Sequence, residues 1–136
     1  MLKHPARFIV IGALAAMLAV LLGAFGAHGL RNLVSPAGLA TYHTGVEYHF
    51  YAAFGLIVVG LLESKRHDGA DTTAAMDRGL AWAGWLMLTG IMMFSGSLYA
   101  LTLTGMRSLG MITPLGGVSF IAAWALLARA AWRSVR

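Results

Sequence analysis

The chain has no cysteine in its 136 residues. That removes disulfides, thiolate metal sites, thiol nucleophiles and covalent haem attachment from consideration, while leaving the redox compartment open. Charge is also scarce. Only 11% of the residues are charged, against about 25% in an average soluble domain, whereas 59% are hydrophobic. Most of this chain therefore has lipid as its solvent. Acidic residues number five against ten Lys and Arg. The resulting +5 charge does not point to nucleic acid, because the basic residues flank apolar runs and form no continuous patch. Membrane lipids, anionic headgroups in particular, are the expected partner.

Four apolar runs are each near the roughly 20 residues needed to cross hydrocarbon: Phe8–Gly29, Thr41–Leu62, Gly79–Thr102 and Pro114–Trp132. The first has features of a secretion signal, with Lys3 and Arg7 ahead of it and the small residues of Ala24-Phe25-Gly26-Ala27 near its end. Its apolar stretch is long for a signal, and a retained helix is expected. The fold class is then all-α: a polytopic membrane protein with four transmembrane helices in an up-down bundle, one domain over 1–136, and a cytoplasmic loop at 63–78. Lys3, Arg7, Lys65, Arg66, Arg78, Arg129, Arg133 and Arg136 lie on one side of this layout, and only Arg31 and Arg107 on the other. Eight against two predicts cytoplasmic N- and C-termini.

Small residues recur every four positions in the first helix, at Ala15, Ala19, Gly23 and Ala27, with Gly12, Ala16 and Ala24 alongside. Such a stripe suits close packing within the bundle. The glycine-rich end, Gly23 to Gly29, is expected to fray. It is no phosphate loop, since neither a preceding strand nor a following lysine is present. Ser35-Pro36 and Thr113-Pro114 both have the form of an N-cap followed by proline at the first helical position. Trp82 and Trp85 suit the cytoplasmic interface, and Phe94-Ser95-Gly96-Ser97-Leu98-Tyr99 the outer one. The mixed charges of 63–78 form a solvated linker, His4 is interfacial, and His67 is solvated. The arginines of the last helix snorkel toward phosphates. Each half of the chain is a helical hairpin whose second helix starts at Ser-Pro or Thr-Pro, which hints at duplication.

Glu47 is the acid that does not fit the linker. The other four lie between Glu63 and Asp77, while Glu47 sits within an apolar run, about one turn below the outer interface. An ionisable group there is costly and marks a candidate site. Helical periodicity places His43, Glu47, Tyr51 and Phe54 on one face with Phe50 beside them, and Gly45, His49, Ala52, Ala53, Leu56 and Gly60 on another. Three arrangements fit. In the first, Glu47 is satisfied by Arg31, His28 or serine hydroxyls as a structural lock. In the second, it is a protonatable or cation-binding carboxylate in an outward cavity. In the third, His43 and Glu47, four apart, join His28 or His49 around a metal or haem. His49 alone is explained by a hydrogen bond to Ser95 or Ser97. Without a serine–histidine pair, paired carboxylates or a phosphate signature, no enzyme, catalytic residue or cofactor is expected.

Gly23-Ala24-Phe25-Gly26-Ala27-His28, Thr44-Gly45-Val46-Glu47-Tyr48, Phe94 to Tyr99 and Thr113-Pro114-Leu115-Gly116-Gly117 together resemble the signature blocks of the YgdD-like family of small inner-membrane proteins. The resemblance covers nearly the whole chain. It implies four helices in the bacterial inner membrane and distant relatives among eukaryotic transmembrane proteins, and it carries no activity. The expected binding residues are Glu47, His28, His43, His49, Arg31 and Tyr51. The expected role is an interaction or accessory subunit, as a homo-oligomer or in a larger membrane complex. The alternative is a small oligomeric transporter or channel that uses Glu47 to couple protons or cations.

Overall fold

A computed structural model describes residues 6–67 and 74–134. Helix α1 is Ala6–Phe25 and runs into a π-helical turn at Gly26–Leu30; α2 is Pro36–His67. Helix α3, Ala74–Gly90, passes through a second π turn, Ile91–Ser95, into α4, Gly96–Thr104. A 3-10 turn, Arg107–Met111, leads to α5, Thr113–Ser134. The described residues thus make four spans, of 25, 31, 27 and 27 residues. All exceed the roughly 20 residues that hydrocarbon requires. Large apolar side chains cover the outside, including Met92 at 74% and Ile121 at 72% exposure. Lipid, not water, is the medium in which that surface is stable.

Local chemistry sets the helix ends. The Ser35 hydroxyl accepts the Gly38 N–H at 3.1 Å. Pro36 follows at a position where its missing N–H costs nothing. Helix α4 stops at Gly105, whose φ of 71° lies in the left-handed region, and the Gly105 N–H returns to the Leu101 carbonyl at 2.8 Å. Thr113 departs from the expected capping role. It is the first residue of α5, and its hydroxyl shares a 2.7 Å hydrogen bond with the Ser97 hydroxyl on α4.

Helix α2 lies at the centre of the bundle, packed on α1, α3 and α4, while α5 packs on α3 and barely touches α2. Gly12 brings α1 close to α2: a Cβ there would stand 2.8 Å from the Ala53 carbonyl oxygen. Gly12 and Ala19 are buried and Gly23 faces Val46, so the body of the small stripe of α1 is turned into the bundle, while Ala24 and Ala27 at its end are exposed. A core of Phe8, Leu56, Val59, Leu80 and Met87 fills the half nearer the termini. A smaller cluster of Leu30, Tyr42 and Val46 fills the half nearer residues 26–35 and 105–112, termed here the connection end.

Two expectations are corrected. The Gly23 to Gly29 segment does not fray: it finishes α1 and forms an ordered π turn. The 63–78 stretch is not all loop either, because α2 runs on to His67 and α3 begins at Ala74. Asp68 and Asp71 fall outside the described residues. Arg66, assigned to solvent by its charge, is 9% exposed and donates to the Ala130 carbonyl of α5 at 2.9 Å. The long α2 carries its guanidinium under the last turns of α5. Arg66→Ala is expected to cost about 1–3 kcal/mol, since a charged donor to a buried carbonyl is lost. Thermal unfolding in detergent against wild type checks this.

Candidate functional site

Polar side chains concentrate between α2 and α4 at the connection end. Tyr42, 1% exposed, donates its hydroxyl to the Leu22 carbonyl of α1 at 2.9 Å, in the turn that precedes the first π segment. Its ring lies 5.0 Å from that of Tyr99 on α4. Two turns further along α2, buried His49 shares a 3.1 Å hydrogen bond through Nδ1 with the Tyr99 hydroxyl. Gly45 lies between them and leaves room for the Tyr99 ring, which a Cβ would approach to 2.9 Å. Tyr99 is therefore held along its length by one face of α2.

The π turn at Ile91–Ser95 makes this alignment possible. A π turn inserts an extra residue, and one residue rotates everything after it by about 100°. The hydroxyls nearby stabilise the irregular backbone: Ser119 of α5 donates to the Leu86 carbonyl at 2.8 Å, and Ser97 to the Phe94 carbonyl at 2.8 Å. Ser95 is fully buried, and its hydroxyl has no hydrogen-bond partner among the described residues. Both halves of the chain now show one device. Each has a π turn, a hydroxyl given to a carbonyl of the turn before it (by Tyr42 in one half, Ser119 in the other), then a connection and a helix with proline in its first turn.

The structure distributes the six expected site residues over three environments. Glu47 is exposed on the outward face of α2, with no hydrogen bond or ion pair among the described residues. Tyr51, one turn along, is also exposed and stacks edge-on against Tyr48 at 5.6 Å. His43 is half-buried beside the first π turn, edge-on to Tyr42 at 6.3 Å. His28 and Arg31 are exposed at the connection end. His49 alone faces inward, and its partner is Tyr99, not Ser95 or Ser97. Glu47 and Tyr51 share a surface, then, while His49 belongs to the interior polar seam. Among the described residues no three His, Asp or Glu side chains come together to hold a metal. Sequence reasoning missed Tyr42, Tyr99 and Thr113. Gly26 and Gly45, where an added Cβ would meet the Tyr42 and Tyr99 rings, were the available signal, since a ring needs such space on the helix it reaches.

Beside the outward face of α2, a groove of about 460 Å³ opens toward α5, lined by Tyr48, Tyr51, Phe94, Phe120 and Trp124. Tyr48 contacts both Phe94, at 4.7 Å, and Phe120, at 6.1 Å. The groove exists because the backbones of α2 and α5 stay apart and only side chains bridge them. Tyr99→Phe is expected to destabilise the bundle by about 0.6–2 kcal/mol by leaving His49 unpaired. The loss should vanish in a His49→Phe background, as a double-mutant cycle of unfolding would show.

These features define a small polytopic membrane protein of four spans, with an aromatic and imidazole seam inside and the Glu47 carboxylate on an outward face. The chain belongs to the family described as "Protein of unknown function (DUF423)", which it matches over residues 22–117. It is 50% identical over 124 residues to the UPF0382 membrane protein YwdK of Bacillus subtilis (strain 168), covering 91% of this chain and 94% of that relative. It is 44% identical over 120 residues to the UPF0382 membrane protein SH2409 of Staphylococcus haemolyticus (strain JCSC1435), covering 88% and 90%. No solved structure matches the chain.

Proposed function

We propose that this protein is an interaction or accessory protein of the bacterial inner membrane, with cytoplasmic termini, that engages its partner through the outward face of α2. The observation that carries this reading is the Glu47 carboxylate, which projects from that face without an internal partner. Pro36–Arg66 is about 46 Å long against about 30 Å of hydrocarbon. Centred in the bilayer, it places Glu47 about 8 Å inside the hydrocarbon edge, where an ionisable group is costly unless something pairs with it. Eight basic residues in the terminal stretches and the 63–78 connection, against Arg31 and Arg107 in the other two connections, support the orientation. Transport with Glu47 as the coupling group has less support, because the carboxylate lies on the outer face of α2 and away from the interior seam of His49 and Tyr99.

A photoreactive residue in place of Phe54, in membranes of the native host, tests the proposal. Discrete protein adducts that weaken when Glu47 is also changed to leucine are expected. Lipid adducts alone would refute it, and Glu47-dependent cation or proton flux in liposomes would favour transport instead.

A further inference from the structure

We infer that the partner at this face is a second copy of the chain, paired α2 to α2 with Glu47 in the seam. This rests on the interaction reading above and names its partner. The outward residues Thr44, Glu47, Tyr51, Phe54, Val58 and Leu61 alternate in steps of three and four. All are exposed except half-buried Thr44. A repeat of 3.5 residues lets two parallel helices supercoil left-handed and keep the same face in contact throughout. Any lipid-facing helix has such a face. What selects an occupant here is the polar content at one depth.

Two copies in one membrane share a topology, so a two-fold axis along the membrane normal sets each residue beside its counterpart. Glu47 then lies at the same depth as the polar side chains of the second copy's own α2 face. The face also brings its own donors, the Tyr51 hydroxyl one turn further along and His43 one turn back at its edge. A face carrying both acceptor and donors is complementary to itself, as a two-fold interface requires. Polar side chains in helix contacts of this kind hold transmembrane helices together. Shape agrees with chemistry. Tyr51, Phe54 and Trp124 border an open apolar recess of about 330 Å³ immediately beside the seam. An aromatic ring from the same level of a second copy is the kind of group that fills it. The contacts are reciprocal, so each copy both offers the ring and receives one.

The absence of cysteine makes the test clean. Two differently tagged copies, each bearing one cysteine, are co-expressed, and isolated membranes are oxidised. Phe54→Cys, Val58→Cys and Leu61→Cys should form disulfides between copies, while Ala52→Cys and Val59→Cys, which face inward, should not. Adding Glu47→Leu to Phe54→Cys should lower the cross-linked fraction about fivefold, and Glu47→Gln, which still hydrogen-bonds, should largely preserve it. Glu47 is exposed, so both variants are expected to fold, and matched monodisperse yields verify that. Cross-linking without this periodicity, or unaffected by Glu47→Leu, overturns the inference. If no disulfides form while a photoreactive residue at Phe54 captures a different protein, the second copy is wrong and the interaction reading stands. Failure of both assays removes both.

Discussion

Gly116→Ala is expected to be among the most damaging single-methyl changes in the protein, and Gly117→Ala next to it nearly silent. A Cβ on Gly116 would collide with the backbone of Phe94, including its Cα at 2.8 Å, and with its Cβ at 2.7 Å. Those atoms belong to the π turn of the third span and have no rotamer by which to move aside. The methyl can be accommodated only by shifting α5 or by unwinding the turn. Overpacking costs about 1–3 kcal/mol where side chains can yield, and the backbone contact puts Gly116 at or above the top of that range. Relaxing the turn would also rotate Tyr99 away from His49, adding a lost hydrogen bond. On Gly117 the same methyl would stand 3.8 Å from the Phe94 ring, an ordinary contact. Yield of monodisperse protein and unfolding temperature, measured for both variants, give the comparison. Equal behaviour would mean that α5 does not approach Phe94 as closely as described.

Gly12→Val is expected to have the second large effect, by separating α1 from α2. Even a first methyl would come within 2.8 Å of the Ala53 carbonyl oxygen and 2.9 Å of the Ile57 nitrogen, both parts of a continuous helix. A branched side chain adds bulk that cannot fold away. The displaced α1 would carry the Leu22 carbonyl from the Tyr42 hydroxyl, so packing and a buried hydrogen bond fail together. A loss of about 3 kcal/mol or more is expected. Gly23→Ala is the control, since its Cβ would sit 3.4 Å from a Val46 methyl that can shift by a small rotation. Protease susceptibility of α1 in detergent, together with the unfolding temperature, separates displacement of this helix from general loss of fold.

These glycines show how much of the fold was legible in the sequence. The four spans were, because apolar runs of that length have few other stable environments. The inward direction of the small stripe on α1 was legible too, since glycine and alanine are where helices approach. The same logic would have oriented α2. Gly45, Ala52, Ala53 and Gly60 form its small face and are buried, and that leaves Glu47 and Tyr51 on the opposite side. A carboxylate in an apolar run invites burial, and that intuition competes with packing geometry. The π turns were not legible. They depend on hydroxyls and rings supplied by other helices, and without them the register of Tyr99 against His49 cannot be derived. Arg66 was misjudged because charge suggested solvent, whereas the length of α2 carries the side chain beneath α5.

Which way α2 turns Glu47 is measured directly by spin labels on single cysteines introduced into this cysteine-free chain. In detergent, diluted until the protein is monomeric, labels replacing Glu47 and Phe54 should be mobile and open to collision with oxygen, and those replacing His49 and Leu56 immobile and shielded. A shielded, immobile label at position 47, matching that at 49, would place the carboxylate inside the bundle and contradict the interaction surface proposed for α2.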